Sequence, residues 1–493
     1  MANKKKWLYG AAVQGIQGFI FQTDKLKDIV GASELVEQAC TCVFNEITGT
    51  VEGESKAGVE PVVQAAGNVK CIFSDEDILK RVVLSYPKHV MEKAPGITVS
   101  QAVVEMENEN YKDASDELEK RLRAQRNKQA KSLVSGLMAM ARSPRTGLPA
   151  VECKQGDLTD EGCRAKQGIV DGKARYSLYE KLYGGKGEVT PRQVYENCDI
   201  SSMTQKNDWI AIIHADGNGL GEVVAKKGKS PDEMSRFSRK LDEATRLSAQ
   251  SACKEVNGKG EDGHLWIRPV VIGGDDLTVI CRADLAIPFV RHYLKAFEEN
   301  SKSHIGDSLS ACAGIAFIKS SYPFYYGYSL AETLCGVAKK DAKSDEMKNA
   351  NGGKIPSCLM FHKVQSSFVE DYETIKRKEL APASDCSFCF GPYYLTGQAG
   401  RWTIQRLCEK AGELAKEENN PVKTAAREWM TLMFEDKGVA EQKAKRVEQI
   451  YSDDKRELFS DVTGMVARVG QEPKFSPAYD VLSLLTINNQ ETK

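Results

Sequence analysis

The chain has 493 residues, 41% of them hydrophobic and 28% charged, which is the balance of a folded soluble protein and roughly three or four domains' worth of length. Its formal net charge of −1 excludes a grip on nucleic acid by bulk charge, so such binding would need a local patch or a partner. No run of about 18 apolar residues occurs, which excludes an apolar membrane-spanning helix.

The start, MANKKKWLYGAAVQ, is basic but lacks an apolar core with a small-residue cleavage site, and reads as the first strand of a domain. That strand, Trp7 to Gln14, ends at Gly15 and leads into a helix-like segment. Pro61 to Ile72 then reads as a β-hairpin: apolar strand, small-residue turn at Gly67 and Asn68, apolar strand. Another helix-like segment and the strand Ile97 to Val104 follow. Tyr111, Ala114, Leu118 and Leu122 recur at helical spacing, so a helix opens an irregular connector. Lys120, Arg121, Arg123, Arg126, Lys128 and Lys131 cluster there and read as a solvated helix face.

The same order then returns. Trp209 to Asp216 is an apolar run ending at a glycine turn. Pro269 to Ile280 aligns with Pro61 to Ile72 without a gap, and Leu309 to Phe317 supplies the last strand. Strand, helix, hairpin, helix, strand is the ferredoxin-like pattern, an antiparallel sheet with helices on one face. The fold class is therefore α+β. Two ferredoxin-like domains lie at 1–110 and 206–365, joined by a helical, irregular connector over 111–205. Trp402 to Glu417 and Val422 to Phe434 read as helices of a C-terminal α-helical domain, 366–493.

Carboxylates occur in one copy alone. Asp216 ends the first strand of the second repeat, and Asp275 and Asp276 occupy its hairpin turn. A ferredoxin-like sheet puts these two places side by side. Three carboxylates at one sheet end suit Mg²⁺ or Mn²⁺ bound with nucleotide phosphates. Gly217, Gly219, Gly221, Gly273 and Gly274 leave the backbone open to a triphosphate. Each motif alone is also what a polar turn uses, but the two together, each after an apolar strand, point to a metal site. The first copy has Gln14, Gly67 and Asn68 at these places, so it should hold no catalytic metal.

Asp216-Gly-Asn-Gly-Leu-Gly, Gly273-Gly-Asp-Asp and the segment bearing Lys339 resemble the second palm of the large subunit of type III CRISPR complexes. Val13-Gln-Gly-Ile-Gln-Gly-Phe-Ile and Lys27-Asp28-Ile-Val-Gly31-Ala32-Ser33 resemble its first palm. Diguanylate cyclases share a single palm and usually carry a glutamate at the place of Asp276. The resemblance implies conversion of ATP into cyclic oligoadenylate, with one ATP on each palm. It implies metal held by Asp216, Asp275 and Asp276, and nucleotide near Gly217, Asn218, Gly219, Gly273 and Gly274. Lys339 is then a phosphate contact, or else a solvated helix lysine; Ser33 is a nucleotide contact, or else an ordinary helix serine. The implied partners are guide RNA, the other subunits of such a complex, and target RNA as activator. A stand-alone cyclic-dinucleotide synthase, working as a homodimer, and a non-catalytic RNA-binding scaffold are the alternatives. Many members begin with a histidine-aspartate nuclease domain. This sequence opens on the first palm and contains no adjacent His-Asp pair, so no DNase activity is expected.

Fourteen cysteines are scattered, and Cys71, Cys281 and Cys312 lie inside apolar runs, as free buried thiols do. With no secretion signal, a reducing cytoplasm is expected. Cys386 and Cys389 have knuckle spacing, and Cys153 and Cys163 lie in the connector. A structural zinc needs four ligands, and no second close pair stands beside either group, so free thiols are expected over zinc.

Overall fold

The computed structural model describes residues 5–488 except 52–54, 66, 107–109, 129–137, 172–175, 186, 197–199, 205–207, 228–229, 367–369, 384, 398–399 and 469–470. Lys131 of the basic cluster lies outside the described residues.

The first palm contains β1 (Trp7–Gln14), α1 (Ile16–Ile20), α2 (Leu26–Gln38), α3 (Phe44–Thr48), β2 (Val59–Ala65), β3 (Asn68–Phe73), α4 (Glu76–Lys93) and β4 (Thr98–Glu105). Its sheet runs β2-β3-β1-β4, every pair antiparallel, as the ferredoxin-like order requires. The sheet is covered on both sides, where helices on one face were expected. Tyr9, Ala11, Val69 and Cys71 pack against α2, α3 and α4. The alternate residues Leu8, Val62, Ile72 and Val104 bury Tyr111, Ala114, Leu118 and Leu122 of α5 (Tyr111–Arg126). The basic residues of α5 are exposed.

The connector is wedged between the palms. It contains a hairpin, β5 (Ala150–Lys154) and β6 (Asp157–Asp160), then α6 (Glu161–Asp171), α7 (Ser177–Tyr183) and α8 (Pro191–Glu196). Helix α6 lies so close to α2 that a Cβ on Gly31 would sit 2.0 Å from the Lys166 carbonyl oxygen. The fully buried Lys166 ammonium donates to the Phe19 carbonyl at 2.7 Å and to Gln22 Oε1 at 3.0 Å. Buried Asp28 accepts from Thr23 Oγ1 and from Gln167 Nε2, both at 2.8 Å. Glu34 accepts from the backbone N–H of Ser177 and Leu178 and from the Ser177 hydroxyl, each at 3.0 Å, and so caps α7. Lys181 of α7 donates to Glu37 Oε1 at 2.8 Å and to the Ile272 carbonyl of the second palm at 3.2 Å.

The second palm contains β7 (Trp209–Gly217), α9 (Leu220–Lys227), α10 (Pro231–Glu255), β8 (Ile267–Gly273), β9 (Asp276–Arg282), α11 (Ala286–Ile305) and β10 (Ala311–Lys319). Beyond them come α12 (Phe324–Ala342), α13 (Asp345–Ala350) and β11 (Cys358–Lys363). The repeat extends to detail: both hairpins carry a register shift beside their proline, between Pro61 and Val63 and between Pro269 and Val271. Proline has no N–H for the ladder, so a bulge there costs the sheet little. The second sheet is larger than expected. Strand β11 adds parallel to β10, and a short strand at Tyr393–Tyr394 adds antiparallel to β11. The sheet begun at Trp209 thus takes its last strand from beyond residue 365.

After Val364 the chain is mainly helical, including the helices Ile404–Ala415 and Asn420–Glu435, with a small sheet formed by Cys386–Ser387, Val466–Arg468 and Gln471–Phe475. Its core is continuous with that of the second palm: Ile213 and Phe289 belong to one cluster with Phe388, Leu407, Trp429 and Leu485. The two palms also share a core, in which Phe19, Ile20 and Phe21 meet Ile210, Ile212, Ile318 and Tyr328. Among the described residues no helix is long and apolar enough to cross a membrane.

Candidate active site

Strand alternation builds the site. On β7, Ala211, Ile213 and Ala215 face the core under α10 and α11, so His214 and Asp216 face the opposite side. On β9, Leu277 and Val279 face that same core, which turns Asp276 and Thr278 to the side of His214 and Asp216. His214 stands opposite Thr278 in the ladder, and its Nδ1 lies 3.0 Å from the Thr278 hydroxyl. A ring nitrogen of His214 and one oxygen each of Asp216 and Asp276 lie within 4.8 Å of one another. Among the described residues this is the one group of three or more such side chains at metal-holding spacing.

Asp275 sits in the two-residue turn between β8 and β9 and stands outside that group. Burial and the neighbouring charges of Asp276 and Asp216 push its carboxyl up to about 7. Asp276 is pushed up to about 6 by burial and by Asp216 and Glu332, against the pull of Lys339. Its side chain is open to solvent. Burial lowers the His214 imidazole below its ordinary range, against the attraction of Asp216. Helix α10 fixes the turn: Thr245 Oγ1 donates to the Gly274 carbonyl at 2.6 Å, and Asp242 Oδ1 accepts from the Gly274 N–H at 3.3 Å.

Helix α12 closes the site from the other side. It packs on β10 so tightly that a Cβ on Gly314 would lie 1.9 Å from the Ala331 carbonyl oxygen. That approach brings Lys339 to the end of β7, where its ammonium pairs with Asp216 and donates to the Gly217 carbonyl at 3.0 Å. Three turns earlier on α12, the Tyr328 ring lies 5.7 Å from the His214 ring. The first palm reaches this rim. Gln17 Nε2 donates to the Tyr328 hydroxyl at 2.8 Å and to Glu332 Oε1 at 3.2 Å, and Phe21 stacks on Tyr328 at 4.8 Å.

The glycines expected near nucleotide line the same loops. Gly273 pairs with Asp276 at the turn, and Gly274 and Gly219 take φ of +62° and +69°. At Gly217 a Cβ would crowd Leu220 at 2.5 Å and Asp275 at 3.0 Å. Two residues expected near nucleotide are engaged within the protein. Asn218 is buried; its N–H donates to the Ser310 carbonyl at 2.8 Å and its amide to the Ser310 hydroxyl at 3.1 Å, so it braces the loop. Ser33 is 2% exposed and donates to the Ile29 carbonyl at 2.9 Å, a helix serine whose hydroxyl is already used. The first-palm motif around it docks the connector, through Asp28, Gly31 and Glu34. In the first palm, Gln14 Nε2 donates to the Ala12 carbonyl at 3.2 Å, Gly67 has φ +87° and Asn68 is exposed, so no carboxylate stands there. Cys153, Cys163, Cys386 and Cys389 form no group of three or more metal-ligating side chains among the described residues; the Cys389 sulfur instead lies 3.3 Å from the Tyr372 hydroxyl. His214 escaped the sequence reading. Its place two residues before Asp216 on one strand was the available signal.

Residues 209–351, from the start of β7 to the end of α13, match the family described as Cas10/Cmr2, second palm domain. No curated protein matches the chain by sequence. Solved structures match nearly its whole length. A Csm1–Csm4 cassette in complex with cA4 is 15% identical over 98% of this chain and 70% of that one, with a TM-score of 0.55. The cassette with cA3 gives 14% identity, 99% and 70% coverage and a TM-score of 0.56, and that with AMPPNP 14%, 99%, 70% and 0.53. At such identity the likeness is one of fold. The family match thus falls on the very strands and helix that carry Asp216, Asp275, Asp276 and Lys339, within a chain whose fold is similar to that of Csm1.

Proposed function

We propose that this chain is a metal-dependent nucleotidyltransferase that joins ATP into cyclic oligoadenylate as the large subunit of a type III CRISPR-like complex. One observation carries the reading: Asp216 and Asp276 converge at the end of a palm sheet, with Asp275 in the adjoining turn and Lys339 paired with Asp216. The residues fit a divalent cation. Three carboxyls crowded enough to push two of them up toward neutrality need a counter-cation, and the Lys339 ammonium now fills part of that need. Bound Mg²⁺ or Mn²⁺ would supply a more acidic 3′-hydroxyl and screen the triphosphate.

The chain's own groups do the remainder. Lys339 can leave Asp216 for a phosphate oxygen and neutralise charge there. The turns at Gly217–Gly219 and Gly273–Gly274 let phosphate approach the backbone. The first palm lacks carboxylates at the equivalent positions and supplies position: it closes the rim through Gln17 and Phe21 and would hold the second ATP. Alignment of this kind can lower a barrier by roughly 7 to 11 kcal/mol. The Csm1–Csm4 structures with AMPPNP, with one ATP and with cA4 support nucleotide as the ligand class.

Labelled ATP incubated with Mn²⁺ tests the reading, alone and with cognate RNA and partner subunits. Cyclic oligoadenylate formed only with RNA marks an effector subunit, and product without RNA marks a free-standing synthase. No product under any condition identifies a scaffold and overturns the proposal.

A further inference from the structure

The third residue at ligand spacing with Asp216 and Asp276 is an imidazole. Asp275, in the turn between β8 and β9, falls outside the group. His214 is also fixed as a ligand needs to be. Its Nδ1 meets the Thr278 hydroxyl at 3.0 Å, and Tyr328 packs at its edge with ring centres 5.7 Å apart. Such outer contacts set the tautomer and aim of a metal-binding histidine. Two of the three side chains share one strand, two residues apart, and the third stands on the adjacent strand, so the sheet itself fixes their spacing.

We propose that His214 is a metal ligand in this chain, and that the site therefore favours Mn²⁺ and the later first-row divalent ions over Mg²⁺. The proposal rests on the metal-dependent reading above and deepens it. Mg²⁺ is a hard cation that takes oxygen ligands in near-ideal octahedra and gains little from an imidazole nitrogen. A nitrogen donor shifts preference along the first row, where affinities for mixed nitrogen and oxygen sites rise from Mn²⁺ toward Cu²⁺. An all-carboxylate site at this position would carry no such bias.

The test uses the full chain without nucleotide. Mn²⁺ and Mg²⁺ binding are measured by calorimetry, and bound Mn²⁺ is examined by pulsed electron paramagnetic resonance for coupling to a directly bound ¹⁴N. Expected are a ¹⁴N signal, tighter binding of Mn²⁺ than of Mg²⁺, and loss of both on His214→Ala, with Mn²⁺ affinity down by roughly tenfold or more. His214→Asn retains a polar partner for Thr278 and serves as the folded control; it should lose the ¹⁴N signal while melting near the parent temperature. His214→Asp makes the site all-oxygen and should remove the preference. Mn²⁺ bound with no ¹⁴N coupling, and unchanged by His214→Ala, overturns the role of His214 and leaves the metal-dependent reading standing. No Mn²⁺ bound by the parent chain, with or without ATP, overturns both.

Discussion

The Lys339 ammonium pairs with Asp216 and at the same time donates to the Gly217 carbonyl, so the lysine and the carboxylate that ends β7 hold each other in place. This pairing competes with any cation for Asp216. Lys339→Ala should therefore leave Mn²⁺ affinity in the absence of ATP unchanged or raised, while slowing product formation by roughly 10²-fold through loss of charge at the phosphates. Weaker metal binding in the variant would contradict the assignment.

The crowded aspartates give the metal-free chain a particular pH dependence. Asp275 and Asp276 stand near 7 and 6 when folded, against an ordinary value of 3.8. The folded state thus binds their protons more tightly than the unfolded state does. Their stabilising contribution is full below the ordinary value and is lost as pH rises through about 6 to 7. In EDTA at pH 8, Asp275→Asn should recover about 1–2 kcal/mol after allowance for solvent screening. Added Mn²⁺ should raise the parent's melting temperature at pH 8 more than at pH 5. Replacing Asp275 and Asp276 together by Ala should abolish product formation without lowering the melting temperature in EDTA at pH 8; a lower one would show that these carboxyls support the fold.

Gly314→Ala tests how α12 is placed. The new methyl would lie 1.9 Å from the Ala331 carbonyl oxygen and 2.4 Å from the Cys335 nitrogen, both backbone, so the helix must shift. A cost of about 1–3 kcal/mol follows from overpacking. Because the same helix carries Lys339, the surviving folded protein should also lose activity. Unchanged activity per folded molecule would mean that the register of α12 does not position Lys339.

The cap at the connector gives a contrast of two variants. Burial pushes the Glu34 carboxyl up to about 8 in spite of its hydrogen bonds to Ser177 and Leu178. Glu34→Gln keeps one acceptor oxygen but turns an amide N–H toward a backbone N–H, and should cost about 1–2 kcal/mol. Glu34→Ala leaves the donors of Ser177 and Leu178 without their partner and should cost about 2–4 kcal/mol. Chemical denaturation separates the two cases, and equal losses would remove the capping argument.

The double repeat was legible because period and order are local signals. Apolar alternation, the ungapped hairpin alignment from Pro61 and Pro269, and the placing of Asp216 against Asp275 and Asp276 all lie in short stretches of chain. What the sequence concealed depends on contacts distant along it. Strand β11 joins by a parallel crossover, and Tyr393–Tyr394 joins from beyond the second palm, with no turn motif to announce either. Helix α5 reads as a connector until its apolar stripe is set against Leu8 and Ile72 on the unused sheet face. Ser33 and Gly31 share a motif that suggested nucleotide, yet their positions are dictated by the approach of α6. His214 was concealed because one histidine in an apolar strand has no partner until the neighbouring strand brings Asp276 beside it.

The double hold of Lys181, on Glu37 of the first palm and on the Ile272 carbonyl of the second, makes a single ammonium the hinge pin between the two halves of the cleft. Ile272 lies three residues before Asp275, so a tug on this pin is delivered almost directly to the hairpin that carries the carboxylates. A separation of the palms would have to strip that ammonium of one or other of its two oxygens. The gap between the two palms is thereby held to a fixed gauge, and lengthening the connector would detune it without touching a single residue of the site.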